Sequence, residues 1–496
     1  MKTTAFMATL LGTVALGSMA FAADLRIGLN EDPDSLDPAQ SRTFVSSLVY
    51  ESLCARLFNT NTDMEIIPEL ATDWSWSEDG LTLVLQLREG VTHHDGTPFD
   101  AASAARVLDR NMTMQESRRR GELSSIASAE ATGDHELTIT LNAPDVTLLA
   151  QLAHHAGRMY SPDAAEEAGA AFGTRPVCTG PYAFVDRVEG DRIVLEKFAD
   201  HWEADEYHYD RVIYQPIPDT TVRLANVRSG DLDIIERTAP SDVPGIREDS
   251  RLQLFEVPNI GYQGITVNVG NGPRADGPLG RQALSLSIDR EALNQVVFEG
   301  EYVVGNQWAA PGTAWYDDND PLPARDIDRA RELLAEAGVE TPIRIEMQFG
   351  NNPIAQQVGQ VVQAMASEAG FDISLRATEF ATLLAENVAG NFDMSLQGWS
   401  GRIDPDANIH PFVGSDGANN DQHYRNDEVD ALLAEARTLP DTDARKALYD
   451  QTRDILKNDL PLIYLYHIKY FYTMRTGIEG FEPYADGIIR LKGVSG

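Results

Sequence analysis

Four side chains with binding chemistry lie close together in the segment 398–408, namely Trp399, Arg402, Asp404 and Asp406. An indole offers an apolar plate, a guanidinium can meet a carboxylate with two parallel hydrogen bonds, and carboxylates attract cations. The segment therefore indicates a binding site for a small polar molecule. The alternative is a solvated turn around Asp404 and Pro405 with the tryptophan packed beneath it.

The residues before this segment predict alternating strands and helices, from the spacing of their apolar residues. The strands are expected at 343–347, 371–375 and 392–396, and the helices at 353–369 and about 380–389. This order is typical of a parallel sheet with crossover helices. Ligands of such sheets bind just beyond the carboxyl ends of the strands, and segment 398–408 follows such an end.

The composition predicts an exported protein of two or three domains. The chain has 496 residues, of which 43% are hydrophobic, enough for packed cores. Residues 1–22 have the pattern of a signal peptide: Lys2, an apolar run, and a small-x-small end at Ala20 and Ala22. The run is short for a membrane anchor. We therefore expect a mature periplasmic chain from about Ala23.

Charge and cysteine content exclude several classes. A formal net charge of −37 argues against nucleic-acid binding, which needs a basic surface. Cys54 and Cys178 are too few for a disulfide framework or a four-ligand zinc site. In an oxidising compartment they can pair, and free thiols are the alternative, because spacing in sequence supplies no distance.

Catalytic motifs are absent from the sequence. It contains no Gly-x-Ser-x-Gly elbow, no His-Glu-x-x-His, no phosphate loop and no Gly-x-Gly-x-x-Gly after a strand. The neighbouring histidines at 93–94 and 154–155 fit turn or surface roles better than metal binding. The sequence therefore predicts a protein that is not an enzyme, with no cofactor and no metal.

An ordered set of motifs resembles a known family. Trp74 precedes an Asp-Gly hairpin at 79–80, then a Leu-Arg-x-Gly-Val turn at 87–91 and the loop His-Asp-Gly-Thr-Pro-Phe-Asp-Ala at 94–101. Further matches follow at 179–182, 281–284, 330–338 and 398–408. Together they resemble the bacterial extracellular solute-binding proteins of family five, the peptide- and nickel-binding type that serves ABC importers.

The resemblance implies an α/β, two-lobed periplasmic binding protein (type II, peptide-binding-like) with an extra subdomain on the first lobe. After the signal peptide at 1–22, lobe I would comprise residues 24–61, 176–267 and 465–496, the subdomain 62–175, and lobe II 268–464. Hinge crossings are expected near 266–268 and 464–467.

The resemblance also assigns roles in segment 398–408. In peptide-binding relatives an acidic residue after the Gly-Trp pair holds the ligand's amino group, and Asp404 is the matching position. Asp406 either shares that role or caps the turn. Trp399 would form a wall of the site or pack in the core. Arg402 would bind a ligand carboxylate or form a salt bridge with Asp404 or Asp406.

Other candidates come from the first lobe and the hinge. Glu31 and Asp32 lie in an acidic loop expected at the cleft, and Tyr262 and His467 would face the cleft from the hinge or pack in the core. Dipeptide-binding relatives can place an arginine in the loop after the first strand of lobe II, but the loop at 348–353 contains no base. This favours a ligand held by its ammonium end, with Arg402 as a replacement cation.

The sequence thus predicts a monomeric substrate-binding protein that delivers di- or oligopeptides to an inner-membrane ABC permease. Another small amino-bearing or sugar-like solute is the alternative ligand. An exported hydrolase is the alternative class, which the missing catalytic motifs disfavour.

Overall fold

The computed structural model describes residues 23–270 and 277–496. The predicted signal peptide, residues 1–22, lies outside them. The strands, in chain order, are β1 (Asp24–Leu29), β2 (Phe58–Thr60), β3 (Ile66–Pro68), β4 (Ala71–Trp76), β5 (Thr82–Leu87), β6 (Ile126–Ala131), β7 (Glu136–Leu141), β8 (Tyr182–Val188), β9 (Arg192–Lys197), β10 (Arg211–Pro216), β11 (Ile234–Ile235), β12 (Leu252–Pro258), β13 (Tyr262–Val267), β14 (Val303–Val304), β15 (Ile343–Gly350), β16 (Phe371–Thr378), β17 (Met394–Trp399), β18 (Leu462–His467) and β19 (Lys469–Arg475).

The helices, in the same order, are α1 (Phe44–Leu53), α2 (Ala101–Thr113), α3 (Leu148–Leu152), α4 (Pro162–Ala168), α5 (Thr220–Ser229), α6 (Val243–Arg247), α7 (Gly277–Ser287), α8 (Arg290–Phe298), α9 (Ile327–Glu336), α10 (Pro353–Ser367), α11 (Phe380–Val388), α12 (Asp406–Val413), α13 (Asp427–Ala436) and α14 (Thr442–Asp459). Within the described ranges, no helix has the length and apolar character needed to cross a membrane.

The predicted strand–helix alternation before Trp399 is confirmed. β15 pairs in parallel with both β16 and β17, and α10 and α11 connect them. α10 begins where expected because the Asn352 side chain accepts a hydrogen bond from the Ala355 N–H at 2.9 Å, with Pro353 in the first turn. The segment 398–408 therefore begins at the carboxyl end of β17.

Two large sheets form the two lobes. The first has the order β12-β19-β11-β1-β10-β9-β8, and the second has the order β14-β18-β13-β17-β15-β16. Each has its own buried apolar core, one including Ile27 and Tyr472 and the other including Ile345 and Leu396. The mixed α/β prediction is confirmed by these sheets and the helices around them.

The chain changes sheets at positions other than those predicted. β12 belongs to the first sheet and β13 to the second, so the first crossing lies at 259–261. The return crossing is Ile468, between β18 and β19. The expected crossings near 266–268 and 464–467 are corrected, because both segments are paired within the second sheet, where β13 bonds β17 on one side and β18 on the other.

A smaller sheet, β4-β5-β7-β6, stands within residues 62–175, the range predicted as a subdomain. Its buried side chains, including Leu83, Leu85 and Ile139, belong to the same apolar cluster as the first large sheet. The subdomain is therefore packed on lobe I. The exact domain boundaries stay a prediction.

Cys54 and Cys178 are joined by a disulfide across a sequence separation of 124 residues. Cys54 ends α1, Cys178 precedes β8, and both are fully buried. The loop that the bond closes contains the subdomain sheet. The bond therefore restricts the unfolded chain over a long segment.

Replacing both cysteines, in a Cys54→Ala/Cys178→Ala variant, is expected to lower the free energy of unfolding by roughly 2–5 kcal/mol. Guanidinium denaturation with and without a reductant measures this. Reductant should destabilise the wild-type protein and leave the double variant unchanged. Equal sensitivity of the two proteins to reductant would contradict a stabilising bond.

Candidate functional site

Trp399 and the loop that follows it are held by one amide side chain. Trp399 is the last residue of β17, and its Nε1 donates to Oδ1 of Asn408 at 2.9 Å. The same oxygen accepts from the Arg402 N–H at 2.7 Å, while the Asn408 Nδ2 donates to the Arg402 carbonyl at 2.8 Å. Asn408 therefore fixes the indole and the backbone of Arg402 together.

This loop lies directly against the first hinge crossing. A Cβ added to Gly261 would lie 1.9 Å from the Trp399 carbonyl oxygen, and one added to Gly401 would lie 2.5 Å from the Ile260 carbonyl carbon. Gly401 also has a φ of +85°, a conformation that favours glycine. The Asn259 side chain donates to the Ser400 carbonyl at 2.9 Å. Hinge and loop therefore touch backbone to backbone.

A cavity of about 210 Å³ lies between the two lobes. Its wall combines Asn30, Glu31, residues 42–44 and Arg237 of lobe I with residues from β13, β17 and α8 of lobe II. Its aromatic members are Phe44, Tyr262, Phe298, Tyr302, Phe380, Trp399, Phe412 and Tyr466. Such a wall suits a small ligand with flat or apolar parts.

Trp399 and Tyr262 are brought together in this wall. They are paired residues of the antiparallel strands β17 and β13. Tyr262 is 3% exposed, and its ring meets Phe412 and Tyr464 edge-on. Its hydroxyl has no hydrogen-bond partner among the described residues. A buried hydroxyl beside a cavity is available to a ligand.

Glu31 is the one carboxylate among the described residues that line this cavity. Within the described ranges its side chain forms no salt bridge and no hydrogen bond, although Arg237 is close enough to oppose the effect of burial on its pKa. Burial raises the pKa of Glu31 from 4.5 to about 8. The cavity therefore contains a carboxylate without a direct ion pair among the described residues, in a wall that also includes Arg42, Arg223 and Arg237.

Asp404 and Asp406 do not line the cavity. Asp404 meets Arg445 through two hydrogen bonds, at 2.9 and 3.0 Å, and Asp406 Oδ2 accepts from the Arg437 Nη2 at 2.7 Å. Burial raises the pKa of Asp404, while Arg445 lowers it. Both carboxylates fasten the start of α12 to α13 and α14. The structure corrects their expected place beside the ligand, because each is already paired with an arginine.

Asp32 and His467 are also placed away from the cavity. Asp32 accepts from Arg187 Nη2 at 3.2 Å and from the Gly190 N–H at 2.7 Å, which fastens the acidic loop to the β8–β9 turn. The His467 Nδ1 and the Gly261 carbonyl oxygen are 2.7 Å apart. Burial lowers the pKa of His467 to about 4. The neutral imidazole of His467 therefore links the two hinge crossings. This contact replaces the contact with a ligand that was expected for His467.

The contacts of Arg402 also differ from the salt bridge that was expected as one alternative. Its guanidinium lies over the Trp399 ring, 4.0 Å from the centroid, and donates to Ser400 Oγ at 3.0 Å and to the Gly401 carbonyl at 2.7 Å. Among the described residues it has no carboxylate within 4.0 Å, so the alternative of a salt bridge to Asp404 or Asp406 is not realised.

Several residues of the cavity wall were not among the candidates identified from the sequence. Arg42, Thr43 and Phe44 enter the cavity because Asp34 binds the loop before α1, accepting from the Arg42 N–H at 2.9 Å and the Thr43 hydroxyl at 3.0 Å. Arg237, with its guanidinium 4.7 Å from the Phe44 ring centroid, has a left-handed backbone (φ 49°). Only the turn-rich composition around Asp34 signalled this arrangement.

Comparison with known proteins agrees with this architecture. Residues 65–420 match the model described as bacterial extracellular solute-binding proteins, family 5 middle. A curated relative, the glutathione-binding protein GsiB of Pectobacterium atrosepticum, is 31% identical over 458 residues, covering 90% of this chain and 88% of the relative.

Solved structures show the same fold. The periplasmic binding protein DppA of Helicobacter pylori, in complex with the peptide STSA, superposes with a TM-score of 0.88 at 24% identity, covering 96% of this chain and 98% of that one. The binding protein AgaA of A. tumefaciens R10, with agropinic acid, gives 0.88 at 25% identity over 95% and 98%. The chain therefore belongs to family 5 of the bacterial extracellular solute-binding proteins, which are substrate-binding components of ABC importers and not enzymes.

Proposed function

We propose that this protein captures short peptides in its interlobe cavity, in the periplasm, and delivers them as a monomer to an inner-membrane ABC permease. The observation that carries the proposal is Glu31. It is a carboxylate without a direct ion pair among the described residues, in a cavity whose wall includes aromatic side chains. A ligand ammonium would supply the missing charge. The free Tyr262 hydroxyl offers a further polar contact to a peptide group.

The relatives support a peptide-like ligand. The curated protein at 31% identity is named for glutathione, which is a tripeptide with a free ammonium group. An amino-bearing or sugar-like solute is the second candidate, because aromatic side chains also stack on sugars and AgaA was solved with agropinic acid. Glu31 favours the ligand that carries a cation.

Addition of the correct ligand at about a hundred times its dissociation constant should stabilise the fold by roughly 2.7 kcal/mol. We expect glutathione or a di- to tetrapeptide to raise the thermal midpoint in a screen that also contains agropinic acid, neutral sugars and nickel–histidine complexes. A shift caused by a neutral sugar alone would contradict the proposal.

Binding should become tighter as pH rises towards 8, because Glu31, with a pKa of about 8, must lose its proton before it meets a cation. The affinity should gain at most about tenfold per pH unit and level off above pH 8. In the free protein the sign is opposite: folding favours the protonated carboxyl, so stability declines as pH rises from about 4.5 to about 8 and levels off above that. Calorimetry from pH 5.5 to 9 measures the affinity.

A Glu31→Gln variant should bind more weakly and lose this pH dependence. Glu196→Gln, an exposed glutamate of the same lobe, is the matched control and should retain the slope. If the affinity of Glu31→Gln depends on pH as steeply as that of the wild-type protein, the proton that controls binding belongs to another group.

The lobes are held closed by an ion pair across the cleft. Arg42 of lobe I meets Asp421 of lobe II through two hydrogen bonds, at 2.8 and 3.3 Å. Their side chains are only 10% and 4% exposed. A further bond joins the Val146 N–H of the subdomain to the Arg437 carbonyl at 3.0 Å. We expect this charge pair, which is largely removed from water, to favour the closed form.

An Asp421→Asn variant should favour the open form and bind peptide at least about tenfold more weakly, since a buried arginine loses its partner. Small-angle scattering of the unliganded and liganded protein reports closure directly. The exchanged variant Arg42→Asp/Asp421→Arg should recover part of the contraction. Wild-type scattering and affinity in Asp421→Asn would show that this pair does not hold the lobes together.

A further inference from the structure

The wall of the interlobe cavity contains five carboxamide side chains, namely Asn30, Asn352, Gln397, Gln263 and Asn419. The first three have hydrogen-bond partners within the protein. The side chains of the last two form no hydrogen bond within residues 23–270 and 277–496. Of these two, Gln263 is the one that lies on a strand, β13, between the hinge and the core of lobe II.

Gln397 shows how a carboxamide of this wall can be fully used by the protein. Its Nε2 donates to Thr266 Oγ1 at 2.9 Å, and its Oε1 accepts from the Asn387 Nδ2 at 3.3 Å. A ligand can bond this amide only by displacing those partners. The Gln263 amide has no such competition, so its donor and its acceptor are both available.

Gln263 lies at the end of an apolar face of the lobe II sheet. It stands directly opposite Gly398 in the antiparallel pair of β13 and β17, and the next pair on that face is Ile265 with Leu396, both in the core. The Gln263 side chain is half-buried. An amide in this position loses water without gaining a partner in the protein, a cost that a hydrogen bond to a ligand removes.

Gly398 provides the space in which the Gln263 amide lies. A Cβ added to Gly398 would be 2.2 Å from the Gln263 Cδ and Oε1, and 2.3 Å from its Nε2. Non-bonded atoms do not approach so closely, so only a glycine opposite Gln263 leaves the amide where it is. Both residues line the cavity. The pair therefore places a donor and an acceptor against the wall of the ligand site.

We propose that Gln263 is a specificity-determining residue whose amide hydrogen-bonds the peptide group of the bound ligand. The proposal rests on the peptide-binding function above and adds the group that distinguishes a peptide from an ester or a sugar. A carboxamide has a donating and an accepting end, so it can meet either the carbonyl or the N–H of a peptide group. Glu31 would attract the charged end of the ligand, and Gln263 would recognise its uncharged link.

Calorimetry with the dipeptide Ala-Ala and with its ester analogue, alanyl-lactate, tests this role. The two compounds have the same charged ends, but the ester lacks the N–H and has a weaker carbonyl acceptor. The wild-type protein should bind Ala-Ala about fivefold more tightly, as expected for one neutral hydrogen bond. Gln263→Leu, whose side chain suits the apolar face, should bind the two compounds within about twofold of each other.

Gly398→Ala tests the same contact from the opposite strand. The added methyl group must displace the Gln263 amide, so this variant should also lose the preference for Ala-Ala. Combining it with Gln263→Leu should reduce the preference no further. Gln360→Leu is the matched control, because Gln360 is an exposed glutamine of α10 in the same lobe. It should retain the wild-type preference, and circular dichroism verifies the fold of every variant.

The role of Gln263 and the peptide function fail differently. Equal binding of Ala-Ala and alanyl-lactate by the wild-type protein would overturn the role and leave the peptide function standing. An unchanged preference in Gln263→Leu, even with weaker binding of both compounds, would do the same.

Glutathione covers the case in which Ala-Ala does not bind. Its affinity should then fall by about fivefold in Gln263→Leu, for the same loss of one hydrogen bond, and an unchanged affinity would overturn the role. If neither peptide binds and a neutral sugar or a nickel–histidine complex alone raises the thermal midpoint, the peptide function falls and the role of Gln263 falls with it.

Discussion

A charge that is taken out of water must find an opposite charge or lose its ionisation, and the closed cleft obeys this constraint throughout. Most charged side chains around the cleft satisfy it internally, as in the pairs Asp404–Arg445 and Arg42–Asp421. These pairs hold elements and lobes in place. Among the described residues that line the cavity, Glu31 is the carboxylate without a direct ion pair, and under the proposed function a ligand cation supplies it.

The hinge transmits what happens at these groups. The first crossing touches the Trp399 loop through Gly261 and Gly401, and the His467 ring bonds the crossing from the other side. Because no side chain separates the two backbones, a displacement of the loop moves the hinge directly. Under the proposed function, a ligand that contacts the Trp399 ring would therefore act on the hinge through this loop.

Local patterns in the sequence were enough for the elements, but not for the charge partners. Apolar spacing located β15 to β17 because it depends on neighbouring residues, and the end of the last of these strands pointed to Trp399. By type alone, Glu31 and Asp404 are equivalent carboxylates. Which one faces the ligand depends on Arg445, which lies 41 residues from Asp404 and reaches it only through the packing of α14. Sequence spacing contains no such information.

The strands nearest the end of the chain lie inside both sheets. β18 is placed between β14 and β13, and β19 between β12 and β11. Neither sheet can be completed until residues 462–475 have been synthesised. Until then the earlier strands next to β18 and β19 have edges that are not hydrogen-bonded to a neighbouring strand. The topology therefore delays completion of both large sheets until β18 and β19 are available. Transport of an unfolded chain across a membrane requires the same order of events, with synthesis first and folding afterwards.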